Sequence, residues 1–130
     1  TTTRQRRRIY LSRQQSGRRR VKNYDSLWGV LEANGFECCV PEDLSFREQV
    51  RLLVEAEYVV GPHGGGLTNL LFAPEGTRVL ELLPTTENTS HYFTLSRILG
   101  HRYEAIVGDE ADLKGHDFVV DLDRLRANLP

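Results

Sequence analysis

The sequence predicts an α/β layer fold on a parallel sheet, and three observations carry that prediction. Apolar runs of strand character alternate five times with segments of helical period. The connections between them are mostly a few residues long, as consecutive packed elements require. The runs themselves, such as Tyr58-Val59-Val60, are continuously apolar, which suits strands covered on both faces. The expected architecture is therefore three layers, with helices on either side of the sheet.

Each element has a local reason. Residues 8–12 read as a first strand following a basic arm, residues 1–7. Asn23 or Asp25 can cap a helix with Leu27, Trp28, Val30 and Leu31 as its apolar stripe, stopped at Asn34-Gly35. Phe36 to Val40 is a second strand, ended by Pro41. Ser45 and Glu48 have capping-box spacing before a helix carrying Phe46, Val50, Leu53 and Val54. The third strand, 58–60, runs into Gly61-Pro62-His63-Gly64-Gly65-Gly66 and a short helix from Leu67 to Phe72. A turn at 73–77 leads to a fourth strand, 78–83, and a helix follows over 91–99. Tyr103 to Val107 forms a fifth strand and Phe118 to Val120 a sixth, and Asp121 caps a terminal helix. Residues 8–130 thus make a single domain.

The 130 residues are 39% apolar and 27% charged, which suffices for one core and excludes collagen, coiled-coil and disulfide-scaffold classes. No run is long and apolar enough for a membrane span, and no signal peptide is visible. The chain starts at Thr1 and contains no Met, and reads as a processed chain or an excised domain. The adjacent Cys38 and Cys39 point to opposite faces of a strand, so they read as small apolar residues rather than a disulfide. Charge is unevenly placed. Residues 1–22 hold nine Lys/Arg and no acid, so all 18 acids fall on the remainder. That split suits either a solvated arm or an anionic partner near the N-terminus.

The strongest local signal is the glycine run from Gly61 into Leu67-Thr68-Asn69. Gly64, Gly65 and Gly66 let an anion approach backbone N–H groups where a helix begins. The alternative is a tight turn with no ligand. Rival motifs fail. A Walker A loop needs Lys-Ser/Thr after its last glycine, and Leu67 stands there. The dinucleotide fingerprint needs a glycine at 69, which is Asn69. A lipase-type HGGG needs a GxSxG elbow, and no serine has glycines at both flanking positions of that motif.

Ser12 and Arg13 lie just beyond the first strand, with Arg18, Arg19 and Arg20 close behind. Topology places them at the same sheet edge as the glycine loop, where arginine forks can grip phosphate. Glu81, near the carboxyl end of the fourth strand, can accept ribose hydroxyls or face solvent. Asp121-Leu122-Asp123 reads as helix capping rather than a metal-binding DxD, and no histidine has a partner at metal spacing. Asn88-Thr89-Ser90 matches a glycosylation sequon.

Read together, several segments resemble the C-terminal half of the family 61 glycosyltransferases. They are Arg8-Ile-Tyr-Leu-Ser-Arg13, Arg19 to Asn23, Gly35-Phe36-Glu37, Pro41 to Gln49, Gly61 to Asn69, Phe72 to Thr77 and Glu81 to Pro84. Bacterial and archaeal members of that family are described as capsular polysaccharide biosynthesis proteins. The resemblance implies a GT-B arrangement of two Rossmann-like domains, of which this chain is the nucleotide-sugar-binding one. It implies a UDP-sugar substrate, no metal or other cofactor, and inversion at the anomeric centre. Arg13 and Arg19, with Ser12, would face the diphosphate. The glycine loop, Thr68 and Asn69 would receive phosphate or donor sugar, and Glu81 would hold the ribose. His63 would stabilise the leaving group. Gly65 stands where the family usually has Ala, and Tyr24 where it commonly has an acid.

The acceptor and its general base would belong to an N-terminal domain absent here, so the chain alone would transfer little. The resemblance implies cytoplasm for a prokaryotic protein, the secretory lumen for a eukaryotic one, and no membrane insertion. The alternative function is a non-catalytic module whose arm binds anionic polymer. Nucleic acid is disfavoured, because Tyr10 and Tyr24 are the only aromatics near the arm.

Overall fold

In the computed structural model, the residues described are 6–14, 20–84, 91–110 and 117–130. The strands are β1 (Arg7–Leu11), β2 (Phe36–Cys39), β3 (Ala56–Pro62), β4 (Arg78–Pro84), β5 (Arg102–Glu110) and β6 (Phe118–Val119). The helices are α1 (Tyr24–Ala33), α2 (Phe46–Val54), α3 (His91–Leu99) and α4 (Leu122–Asn128), with 3-10 segments at Pro41–Asp43 and Gly65–Phe72.

The sheet order is β2-β1-β3-β4-β5-β6. The first five strands are parallel and β6 pairs antiparallel to β5. The chain steps outward from β1 to β2, then returns past β1 to lay down β3. Strand order therefore reverses between β1 and β3, and the crevice at their carboxyl ends is where open α/β sheets bind ligands.

Strand alternation feeds two cores. Tyr10, Tyr58, Val60, Leu80 and Leu82 pack on the face of α1 and α4, with Leu27, Leu31 and Leu125. Ile9, Leu11, Val59 and Val79 pack on the other face with Leu53, Leu67 and Leu70, which come from α2 and the long 3-10 helix. The two clusters establish the three layers.

Several local expectations are corrected. Asn23 makes no side-chain cap to α1. Its amide instead bridges the Val120 backbone, donating to the carbonyl and accepting from the N–H, both at 2.9 Å, and so ties α1 to the strand end beyond β6. Arg7 belongs to β1 and is held by Glu37 at 2.9 Å and Glu55 at 3.0 Å. Cys38 is exposed, 3.7 Å from the Tyr24 hydroxyl, whereas Cys39 is buried and its thiol is pushed up to about 11 by that burial. The short helix expected from Leu67 to Phe72 forms, begins earlier at Gly65 and is 3-10 in type. The Ser45–Glu48 capping box and the Asp121 cap form as expected. The 88–90 sequon and Arg19 lie outside the described residues.

The far edge of the sheet is pinned by Asp117, which accepts from the Arg20 backbone N–H at 2.9 Å and from Nη2 at 3.0 Å. Burial alone would raise this carboxyl, but the Arg20 hydrogen bonds outweigh it and hold it below 3.8. A folded value below the unfolded one stabilises the protein above the unfolded value, and that contribution is lost as pH falls through the folded one. Asp117→Asn should therefore lower the melting temperature at neutral pH. The gap to wild type should close as pH falls through the lowered value of the folded Asp117 carboxyl. A gap that persists in acid would show that the ion pair is not its source.

Candidate functional site

The carboxyl ends of β1 and β3 place Ser12, Arg13, His63 and Gly64 at the reversal point. Gly61 lets the two strands close there. A Cβ on Gly61 would sit 3.2 Å from Leu11 Cβ, 3.3 Å from the Leu11 carbonyl oxygen and 3.3 Å from Leu67 Cδ2. Glycine at this position lets Leu67 and β1 approach together.

Arg13 lies directly against Gly64. A Cβ on Gly64 would fall 2.1 Å from Arg13 Nη1 and 2.7 Å from Cζ. The backbone at Gly64 is extended, with φ 161°, so alanine is conformationally permitted there and the obstacle is the guanidinium itself. Gly64→Ala should displace Arg13 at little cost in stability. If the crevice takes a nucleoside diphosphate, as proposed below, affinity for it should fall about tenfold, as for one lost charge-assisted hydrogen bond. Calorimetric titration together with a thermal melt checks both halves of that expectation.

His63 continues the β3–β4 ladder, donating its backbone N–H to the Leu82 carbonyl at 3.0 Å. Its side chain is buried, and Nδ1 lies 2.6 Å from Glu81 Oε2. The other carboxylate oxygen of Glu81 accepts the Tyr103 hydroxyl. Burial, together with the Glu81 carboxylate, pushes the Tyr103 phenol above its ordinary value, which keeps it a donor. The Tyr92 ring meets His63 edge-on at 5.2 Å between centroids, and its hydroxyl donates to the Gly64 carbonyl at 2.6 Å.

The remaining candidates divide. Ser12 is buried, with Oγ accepting the Gln14 N–H at 3.2 Å. Gly65 and Gly66 open the 3-10 helix, and Thr68 is exposed on it. Asn69 donates its amide to Gln49, whose own amide donates to the Pro41 carbonyl at 2.8 Å. Asn69 thereby holds the glycine loop to the loop after β2. Glu81 is only 1% exposed, so its carboxylate does not face solvent. Sequence reasoning missed Tyr92, Tyr103 and Gln49. Tyr103 pairs in register with Val79, on the Glu81 face of the sheet, and only the β4–β5 pairing reveals it.

The surface cavities among the described residues lie away from this cluster. One of ≈ 470 Å³ lies over Phe46, Val50 and Val54 of α2, and one of ≈ 540 Å³ lies beside Gly29, Val30 and Leu122. Neither contains the charged groups gathered at the reversal point. Among the described residues no group of His, Cys, Asp and Glu is arranged to hold a metal ion. Nor is any described helix long and apolar enough to cross a membrane.

Fold and site together define a Rossmann-like α/β domain with an arginine and a glycine turn meeting at its topological reversal point. The chain belongs to the glycosyltransferase 61 family, whose model matches residues 1–80. It is 31% identical over 95 residues to a β-1,2-xylosyltransferase of Oryza sativa subsp. japonica, covering 67% of this chain and 18% of that protein. It is 38% identical over 97 residues to an EGF domain-specific O-linked N-acetylglucosamine transferase of Drosophila melanogaster, covering 72% and 18%. A third relative is the protein O-linked-mannose β-1,4-N-acetylglucosaminyltransferase 2 of Canis lupus familiaris, 43% identical over 51 residues, or 39% of this chain and 9% of that one. The chain thus aligns with less than a fifth of each of these relatives.

Proposed function

We propose that this chain is the nucleotide-sugar-binding part of an inverting, GT-B-type glycosyltransferase acting in polysaccharide or glycan synthesis. The observation that carries the reading is the contact of the Arg13 guanidinium with Gly64, beside His63, at the reversal point. A guanidinium fork and backbone N–H groups in one crevice are complementary to a pyrophosphate. The names of the relatives, which transfer xylose and N-acetylglucosamine, support a sugar nucleotide as the donor.

In the reaction, an acceptor hydroxyl attacks the anomeric carbon as its bond to the diphosphate oxygen breaks. Negative charge develops on the departing nucleoside diphosphate. Arg13, the amides from 64 onward and His63 meet that charge, and preorganised donors of this kind are the largest single source of such catalysis. The acceptor and the base that takes its proton come from elsewhere in the longer protein.

Titrating UDP into the chain by calorimetry tests the proposal. Binding at micromolar to millimolar concentration is expected, and its absence would sink the donor-site reading. The alternative, polymer binding through the basic arm, is weakened by the ion pairs already made within that segment. Arg7 is held by Glu37 and Glu55, Arg8 by Glu57, and Arg20 by Asp117.

A further inference from the structure

The amino ends of the strands, opposite the crevice, carry a row of like charge. Arg8, Tyr58, Arg78 and Arg102 are register partners in turn across β1, β3, β4 and β5. Residues at one register project from the same sheet face, here the face that Tyr58 shares with α1 and α4. Arg8 has partners: it donates to the Asn34 carbonyl at 2.7 Å and lies 3.5 Å from Glu57. Arg78 is held but not neutralised. Its guanidinium stacks on the Tyr58 ring, 4.5 Å from the centroid, and Nη2 donates to the Asn128 carbonyl at 2.9 Å. Among the described residues neither Arg78 nor Arg102 forms an ion pair.

A third guanidinium joins these two. Arg6, Arg78 and Arg102 line one cavity of ≈ 350 Å³, together with the acids Glu57 and Glu75. Arg6 and Arg102 are exposed, and Arg6 likewise forms no ion pair among the described residues. Glu57 is the acid beside Arg8. Glu75 is drawn over Gly100, where a Cβ would fall 2.7 Å from its Cγ. Glu104, on the same face of β5 as Arg102, forms no ion pair with it either. The cations of the cavity therefore exceed its acids, and one of those acids already has an arginine of its own. Guanidinium groups side by side on neighbouring strands repel, and an anion between them removes that cost.

We propose that this cavity is a second anion site, which takes a phosphate or sulfate group, free or as an ester of a small molecule. Arg78 supplies a fork already oriented by Tyr58 and Asn128, and Arg102 and Arg6 add donors from the rim. The volume lies within the roughly 300–1,000 Å³ of small-molecule sites. The site is at the opposite end of the sheet from Arg13 and Gly64, so it stands whether or not the crevice takes a sugar nucleotide.

Inorganic phosphate and sulfate test this on the chain, with chloride at matched ionic strength as the reference. Both oxyanions should shift the nitrogen-15 Nε–H signals of Arg78 and Arg102 to saturation, and chloride should not. Arg102→Ala should weaken phosphate at least about tenfold, with Arg102→Lys in between. Without added anion, Arg102→Ala should melt no lower than wild type, because it relieves repulsion and removes no ion pair. Arg13→Ala should leave the phosphate response of Arg78 unchanged. Tighter binding of a hexose phosphate than of inorganic phosphate would identify an ester as the source of the group. Equal or weaker binding would identify the free ion, and either result supports the site.

The proposal is overturned if neither oxyanion moves those signals beyond the effect of chloride, or if Arg102→Ala binds phosphate as wild type does. Loss of phosphate binding in Arg13→Ala but not in Arg102→Ala would put the anion in the crevice and overturn it too. A lower melting temperature in Arg102→Ala would give that side chain a structural role and remove it from the site. UDP enters none of these measurements, so failure of the donor-site reading and failure of this one are read separately.

Discussion

Arg13→Ala is expected to weaken UDP binding about a hundredfold. The guanidinium lies against Gly64 and presents a planar fork, and a fork makes two charge-assisted bonds to one phosphate. Each such bond contributes about 1.5–3 kcal/mol, and each 1.4 kcal/mol is tenfold in affinity. Arg13→Lys keeps the charge but loses the fork, so it should fall between wild type and alanine. Thermal stability should change little in either variant, because Arg13 is only partly buried and sits beyond the end of β1. Calorimetry against UDP and against uridine separates the phosphate contribution from the rest. An equal loss of affinity for uridine would place Arg13 away from the diphosphate.

Leu82→Ala is expected to remove about 3 kcal/mol of stability. Leu82 is fully buried on central strand β4, within the cluster formed with α1 and α4. Truncation removes its transfer free energy and leaves a cavity that flanking strands on both sides cannot readily close. A domain of this size has roughly 5–15 kcal/mol in all, so the loss is a large fraction of it. Urea denaturation should show a lower midpoint with an unchanged slope. Leu82→Met should cost less than about 1.5 kcal/mol, since volume is nearly conserved. An alanine variant within about 1 kcal/mol of wild type would mean that the packing around β4 is looser than the structure indicates.

Much of this protein is legible in one dimension. Ser45 and Glu48 announce their capping box by spacing alone, because the two bonds form within a single helical turn. The α3 boundaries follow from the apolar period and from Gly100, which adopts φ 75°. The alternation of strands and helices implies a parallel sheet, since a short crossover returns the chain in the same direction. The glycine run and the arginines past the first strand mark a candidate anion site by residue type.

Other features depend on residues far apart in the chain. Asn23 has the composition of a cap, yet Val120, 97 positions away, offers its amide two bonds instead of one. Glu81 reads as a ribose ligand or a solvated acid. The structure buries it and gives it two long-range partners, His63 and Tyr103.

The sequence by itself determined the order of elements, the turns, the caps and the kinds of group available for phosphate, because those are set by interactions within a few residues. Tertiary structure alone decided the strand order that puts Arg13 beside Gly64, and the β3–β4 and β4–β5 registers that bring His63, Glu81 and Tyr103 together. The physical reason is that strand pairing joins segments tens of residues apart. Their register is fixed by packing both sheet faces at once, which no local pattern encodes.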